Sequence, residues 1–184
     1  MSQYILLDRD GIINRRIPNG YVTSWTQFEF LPRAVDALKL LAAKGYKVIV
    51  VSNQACVSKG LMSSDALADV TRRFLEEVEN NGGRIDGVYY CPHQDRDGCD
   101  CRKPKPGLLL QAQREHGFAL AETFMVGDSE GDLMAAHEAG CPAILVGTGE
   151  PARAEAQLLP YGPRAIAEDL YEAVQLVLSE GHLP

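Results

Sequence analysis

The chain has 184 residues, 46% of them hydrophobic, and a formal net charge of −7 with the basic residues scattered. This supplies enough apolar material for one ordinary core and is the wrong electrostatic footprint for gripping nucleic acid or an anionic membrane. No apolar run reaches the roughly 18 to 20 residues of a spanning helix, and no basic segment precedes an apolar one at the N-terminus. A single domain over 1–184 is therefore expected, monomeric and cytoplasmic, acting on a small diffusible molecule.

Tyr4-Ile5-Leu6-Leu7 ends abruptly in acids and a glycine, and Val48-Ile49-Val50-Val51 ends in Ser-Asn-Gln. Continuous apolar runs of this kind predict strands buried on both faces. Between them Arg33 to Lys44 is predicted helical, with Pro32 at its start, Val35, Leu38, Leu41 and Ala42 at helical spacing, and Gly45 as a stop. Ser63 and Ser64 open a second helix striped by Leu67, Val70, Phe74 and Val78, which leads past Gly82-Gly83 to a short strand, Val88-Tyr89-Tyr90. A helix from Pro106-Gly107 through Glu115, a strand Phe124-Met125-Val126, a helix Leu133 to Ala139 and a strand Ala143 to Val146 follow. Gly147 to Pro163, rich in Gly, Pro and Ala, reads as an irregular connection, and Ile166 to Leu178 as a closing amphipathic stretch. Such alternation predicts an α/β fold, a doubly wound parallel sheet with right-handed crossovers and ligands at the carboxyl ends of the strands.

Those ends carry Asp8-Arg9-Asp10-Gly11, Ser52-Asn53-Gln54, Arg102-Lys103, and Gly127-Asp128 with Asp132 four further on. Taken singly, each has a plain structural reading: an Asp-x-Asp-Gly turn, a strand-end cap, a solvated lysine, a turn before a helix. Their order after successive predicted strands points instead to one convergent site. Transfer of a phosphoryl group calls for positioning and for positive charge from a metal and a cationic side chain. An ionised Asp8, with an ordinary pKa near ~4, could attack phosphorus unaided, and Asp10 could protonate the leaving oxygen and then activate water. Asp8 and Asp128 suit magnesium, which favours oxygen ligands, waters and the substrate phosphate.

Asp8-x-Asp10-Gly11, Ser52-Asn53, Lys103 and Gly127-Asp128-x-x-x-Asp132 resemble, across positions 4 to 146, the four motifs of the haloacid dehalogenase (HAD) superfamily of phosphatases. The resemblance implies a Rossmann-like HAD fold and a phospho-aspartate formed on Asp8. It makes Asp10 the acid/base, Ser52 and Lys103 the phosphoryl ligands, and the Asp8 carboxylate, the Asp10 backbone carbonyl and Asp128 the magnesium ligands. Asp132 would support that site from behind.

Cys91, His93, Cys99 and Cys101 supply three thiolates and an imidazole, the closed set of a structural zinc site. Residues i and i+2 of an extended segment project to one side, so the one-residue spacings still allow a shared ion. Cys56 and Cys141 lie apart from this cluster and read as small buried hydrophobes. Cys-x-His, Cys-x-Cys and Cys101-Arg102-Lys103-Pro104-Lys105-Pro106-Gly107 narrow the resemblance to the subgroup of D-glycero-D-manno-heptose 1,7-bisphosphate 7-phosphatases and histidinol-phosphatase domains. Positions 11 to 51 and 55 to 90 leave no room for a large cap domain, so selectivity must come from rim loops. The resemblance gives Asn19, Gly20, Tyr21 and Arg102 to substrate contact, and Asn53 and Gln54 are expected beside them. Removal of the 7-phosphate from the heptose bisphosphate is the expected activity. A histidinol-phosphate or other sugar-phosphate phosphatase stands as the alternative; a receiver-type signalling domain and a silent zinc-loop module fit the motif order less well. Ala55-Cys56-Val57-Ser58-Lys59-Gly60 departs from the Ser-Gly-Ile-Ala-Arg-Gly typical of the heptose enzymes.

Overall fold

The structure, a computed structural model, describes residues 3–147 and 156–180. Six strands form one parallel sheet: β1 (Tyr4–Leu7), β2 (Lys47–Asn53), β3 (Gly87–Cys91), β4 (Phe124–Gly127), β5 (Ala143–Val146) and β6 (Ala165–Ala167). Their spatial order is β3-β2-β1-β4-β5-β6, so the winding reverses between β1 and β4. Among the described residues, five helices of ten or more residues cross between strands or close the chain: α1 (Ala34–Ala43), α2 (Ser64–Asn80), α3 (Gly107–His116), α4 (Glu130–Ala139) and α5 (Leu170–Glu180).

The continuous apolar runs form strands because both faces are covered. Ile5, Leu7, Val48 and Val50 pack with Leu38, Phe74 and Val174 from α1, α2 and α5. The alternate residues Leu6, Ile49 and Val51 pack on the other face with Leu108, Leu109 and Leu133 from α3 and α4. A one-residue slip of either strand would exchange the two cores.

Two boundaries differ from the sequence reading by three residues or more. Ile166 to Leu178 is not one amphipathic stretch: Ala165–Ala167 pairs with β5 as a sixth strand, and α5 begins only at Leu170. Three residues, two of them alanine, carry too little periodicity to announce an edge strand. Helix α4 begins at Glu130, three residues before the predicted start, because Ser129 and Asp132 close a reciprocal capping box. Of the connection expected over 147–163, residues 148–155 lie outside the described residues, and 156–163 is rich in turns. Among the described residues, the segment between β1 and α1 is a loop with one helical turn, Trp25–Gln27, and no cap domain.

Candidate active site

Asp8 leaves the end of β1 and its amide donates to the Val126 carbonyl at 3.0 Å, which docks it beside the end of β4. This is the point where the winding reverses, the standard ligand crevice of such sheets. Two missing side chains make the approach possible. A Cβ on Gly11 would lie 2.0 Å from Asp128 Oδ2, and one on Gly127 would lie 2.3 Å from the Asp132 Cβ. Glycine at both positions lets three carboxyl groups crowd together, and oxygens of Asp8, Asp128 and Asp132 all fall within 4.8 Å of one another.

Lys103 neutralises the floor of this cluster. Its ammonium lies 3.1 Å from Asp8 Oδ1 and 2.5 Å from Asp132 Oδ1, and donates to the Val51 carbonyl at 2.9 Å. These contacts use its three donors. The loop bearing Lys103 is strapped to β2 by Asn53, whose amide donates to the Lys103 carbonyl at 2.9 Å while its carbonyl accepts from the Lys103 amide at 3.1 Å. The second oxygen of Asp132 accepts from the Ser129 amide and hydroxyl at 3.1 and 2.5 Å. Both Asp132 oxygens are thus spent on protein donors.

Asp10 sits in a cage of donors. Arg9 reaches it at 3.0 Å, Asn14 Nδ2 donates to it at 2.8 Å, and Gln54 Nε2 at 2.6 Å. Arg9 is wholly buried, its guanidinium lying 5.9 Å from the Phe28 ring centroid and 5.4 Å from that of Tyr90.

Burial, which outweighs the attraction of Lys103, holds the Asp8 carboxyl above its ordinary pKa, a correction to the ordinary value expected from the sequence. Burial also works against the Lys103 charge, but Asp132 and Asp8 overcome it and keep the ammonium protonated. Asp128 is pushed up to about 7 by burial, with Asp8 and Asp132 adding to the rise and Arg16 opposing it. A cluster that resists carrying all its negative charge is a ready host for a cation.

A cleft of about 540 Å³ opens over these groups and is lined by Asp8, Asp10, Ser52, Asn53, Arg102 and Lys103. Asn19, Gly20 and Tyr21 reach it from the β1–α1 loop. Gln54 does not. It is fully buried and directs its amide at Asp10 and Ser52, so the expected substrate contact is corrected to a contact with the acid itself. Three cations escaped the sequence reading. Arg16 and Lys59 line the cleft, and Arg9 lies behind it; an arginine between two acids at a strand end was the available signal for Arg9.

Beside β3, the Sγ atoms of Cys91, Cys99 and Cys101 lie 3.2 to 3.6 Å apart, with His93 Nδ1 at 3.3 Å from Cys101 Sγ and 3.6 Å from Cys91 Sγ. Tetrahedral zinc, with Zn–S near 2.3 Å, separates its sulfurs by roughly 3.8 Å, so the donor set fits that ion by number, chemistry and spacing. Arg102, next in the chain, pairs with Asp95 and donates to the His93 carbonyl at 3.3 Å. Cys56 and Cys141 are buried elsewhere.

A family model described as HAD-hydrolase-like matches residues 100–173. The chain is 37% identical over 174 residues to D-glycero-beta-D-manno-heptose-1,7-bisphosphate 7-phosphatase of Pseudomonas aeruginosa, covering 95% of this chain and 97% of that one. It is 42% identical over 140 residues to the alpha-anomer enzyme of Mycobacterium bovis, covering 76% and 74% respectively. The crystal structure of D,D-heptose 1,7-bisphosphate phosphatase from B. bronchiseptica, complexed with magnesium and phosphate, superposes with a TM-score of 0.89 at 35% identity, covering 97% of this chain and 99% of that one. With the motif residues gathered at one strand-end cleft and this likeness along nearly the whole chain, the protein belongs to the D-glycero-D-manno-heptose-1,7-bisphosphate 7-phosphatase family of HAD-type hydrolases.

Proposed function

We propose that the chain hydrolyses D-glycero-D-manno-heptose 1,7-bisphosphate to the 1-phosphate, with Asp8 as nucleophile. The observation that carries this reading is the pairing of a buried Asp8–Lys103–Asp132 floor with a cationic mouth. Lys103 fixes one Asp8 oxygen and so aims the other at an incoming phosphorus, and the Ser52 hydroxyl offers a donor, and Lys103 its positive charge, to the equatorial oxygens. Asp10, two residues beyond, gives a proton to the leaving oxygen and later takes one from the water that cleaves the phospho-aspartate.

The Asp8 and Asp128 carboxylates and the Asp10 carbonyl would hold magnesium, with Asp132 behind them, a choice supported by the clustering of these acids and by the ion in the B. bronchiseptica structure. Bound there, magnesium draws together the anionic nucleophile and the phosphate. Cys91, His93, Cys99 and Cys101 would hold structural zinc, which fixes the loop that ends in Lys103. Thiolates kept for a metal favour a reducing compartment, which supports cytoplasmic action. We take the chain to work as one domain and as a monomer, with residues 91–101 as a loop on β3.

Lys59 and Arg102 at the cleft mouth suit the second phosphate. The same charges would repel the ammonium of histidinol phosphate. Phosphate release from both heptose bisphosphate anomers, histidinol phosphate and simple sugar phosphates tests the reading. The bisphosphate should have the highest kcat/KM and yield the 1-phosphate. Preference for histidinol phosphate would overturn it, and the anomer preferred identifies which of the two related enzyme groups the chain follows.

A further inference from the structure

Four carboxyl groups, Asp8, Asp10, Asp128 and Asp132, face three cationic side chains, Arg9, Lys103 and Arg16. The three cations are held very differently. The Arg9 side chain is 0% exposed between two aromatic rings, and that of Lys103 is 4% exposed with all its donors used. Arg16 is 52% exposed. Its Nη2 donates to Asp128 Oδ1 at 2.7 Å and lies 3.5 Å from the Asp10 carbonyl oxygen. One nitrogen therefore touches two of the three groups assigned above to magnesium.

We infer that Arg16 is a resident counter-ion of the acidic cleft, which the divalent cation displaces. The inference rests on the magnesium ligand set proposed above. Exchanging a single positive charge for a double one brings four carboxylates into balance with Arg9, Lys103 and the ion, whereas Arg16 alone leaves one negative charge over. A half-exposed guanidinium on a loop is also the only one of the three that can leave without opening the core.

The loop is built for such a move. Arg15, one residue earlier, is pinned to Glu29 by two contacts of 3.0 and 3.1 Å, and its amide donates to the Glu29 carbonyl at 2.8 Å. Beyond Arg16 the chain runs directly into Asn19, Gly20, Tyr21 and Val22, which line the cleft. Arg16 thus sits between a fixed base and the rim that meets the substrate. Once displaced, its guanidinium remains at the mouth, where an anionic phosphate enters.

Titration of the zinc-loaded, substrate-free protein with magnesium alone, followed by calorimetry and by thermal midpoint, tests this. Arg16→Met should bind magnesium on the order of two- to five-fold more tightly than the native chain, the scale of one partly exposed ion pair. Its magnesium-free thermal midpoint should fall, because Asp128 loses its partner. Arg16→Lys keeps a charge but not the reach of the planar fork, and should lie between the two. Unchanged or weaker magnesium binding by Arg16→Met would overturn the inference while leaving the ligand set intact. A native chain that binds no magnesium would overturn both.

Discussion

The carboxylate floor and the cysteine loop are both crowds of potential anions, and they are neutralised by opposite means. The floor brings its own cations: Lys103 lies against Asp8 and Asp132, Arg9 against Asp10 and Arg16 against Asp128. The loop brings none to its sulfurs, since Arg102 directs Nε to Asp95 and Nη1 to the His93 carbonyl, and Lys105 turns to Asp100 at 2.9 Å. On the metal assignments proposed above, one site would be assembled by side chains and only completed by a metal, while the other would depend on a metal for its assembly. Activity and fold stability should separate along that line.

The largest effect expected is Asp8→Asn, which should lower phosphate release by roughly three or more orders of magnitude and leave the thermal midpoint within a few degrees of native and the zinc content unaltered. Native-like turnover in that variant would remove Asp8 as nucleophile. Next comes the opposite pattern: with Cys99 and Cys101 both changed to Ser, zinc at about one per chain should be lost. Turnover should then fall about 10- to 100-fold, with a clear drop in thermal midpoint. Zinc analysis of the native protein that found no metal would erase the contrast altogether.

Gly127→Ala probes the floor by crowding. The new methyl group would lie 2.3 Å from the Asp132 Cβ, so Asp132 must shift and take its grip on Lys103 with it, at a cost of about 1–3 kcal/mol. A drop in kcat exceeding the rise in KM, with normal zinc content, is expected; a purely thermal effect would mean that Asp132 does not set the position of Lys103. The smallest effect is on pH. Burial first, then Asp8 and Asp132, raise Asp128 from 3.8 to about 7. A carboxyl whose pKa is raised by folding favours the native state while protonated, so its contribution is lost as pH climbs from about 4 to 7. Without a divalent cation, stability should decline across that window, and Asp128→Asn should flatten the decline. Magnesium should then raise the thermal midpoint more at pH 7 than at pH 5, because protons compete for the same oxygen atoms.

Much of this was legible in the chain because strands buried on two faces announce themselves as continuous apolar runs, and each such run halts at a chemically distinctive residue. Asp8, Ser52 and Asp128 could be found by reading those halts, and Lys103 by its place directly after the cysteine loop. Ala165–Ala167 could not, since a three-residue edge strand leaves almost no pattern. Gln54 looked like a rim residue because polar side chains at strand ends usually face the ligand; here the Asp10 carboxylate lies inward and draws the amide after it. Arg9 and Arg16 were hidden for a shared reason. A charge next to other charges reads as a solvated loop, and only coordinates reveal that one guanidinium is stacked in the core while the other reaches across to β4.

The end of β2 behaves as a three-mark ruler. Ser52 faces the cleft, Asn53 clasps the backbone of Lys103, and Gln54 reaches Asp10, so consecutive residues calibrate three separate parts of the machinery against one rigid edge. Inserting or deleting a single residue at this spot would misalign all three at once. A library of length variants should therefore tolerate changes in the Trp25–Gln27 turn and reject every one between Val51 and Ala55.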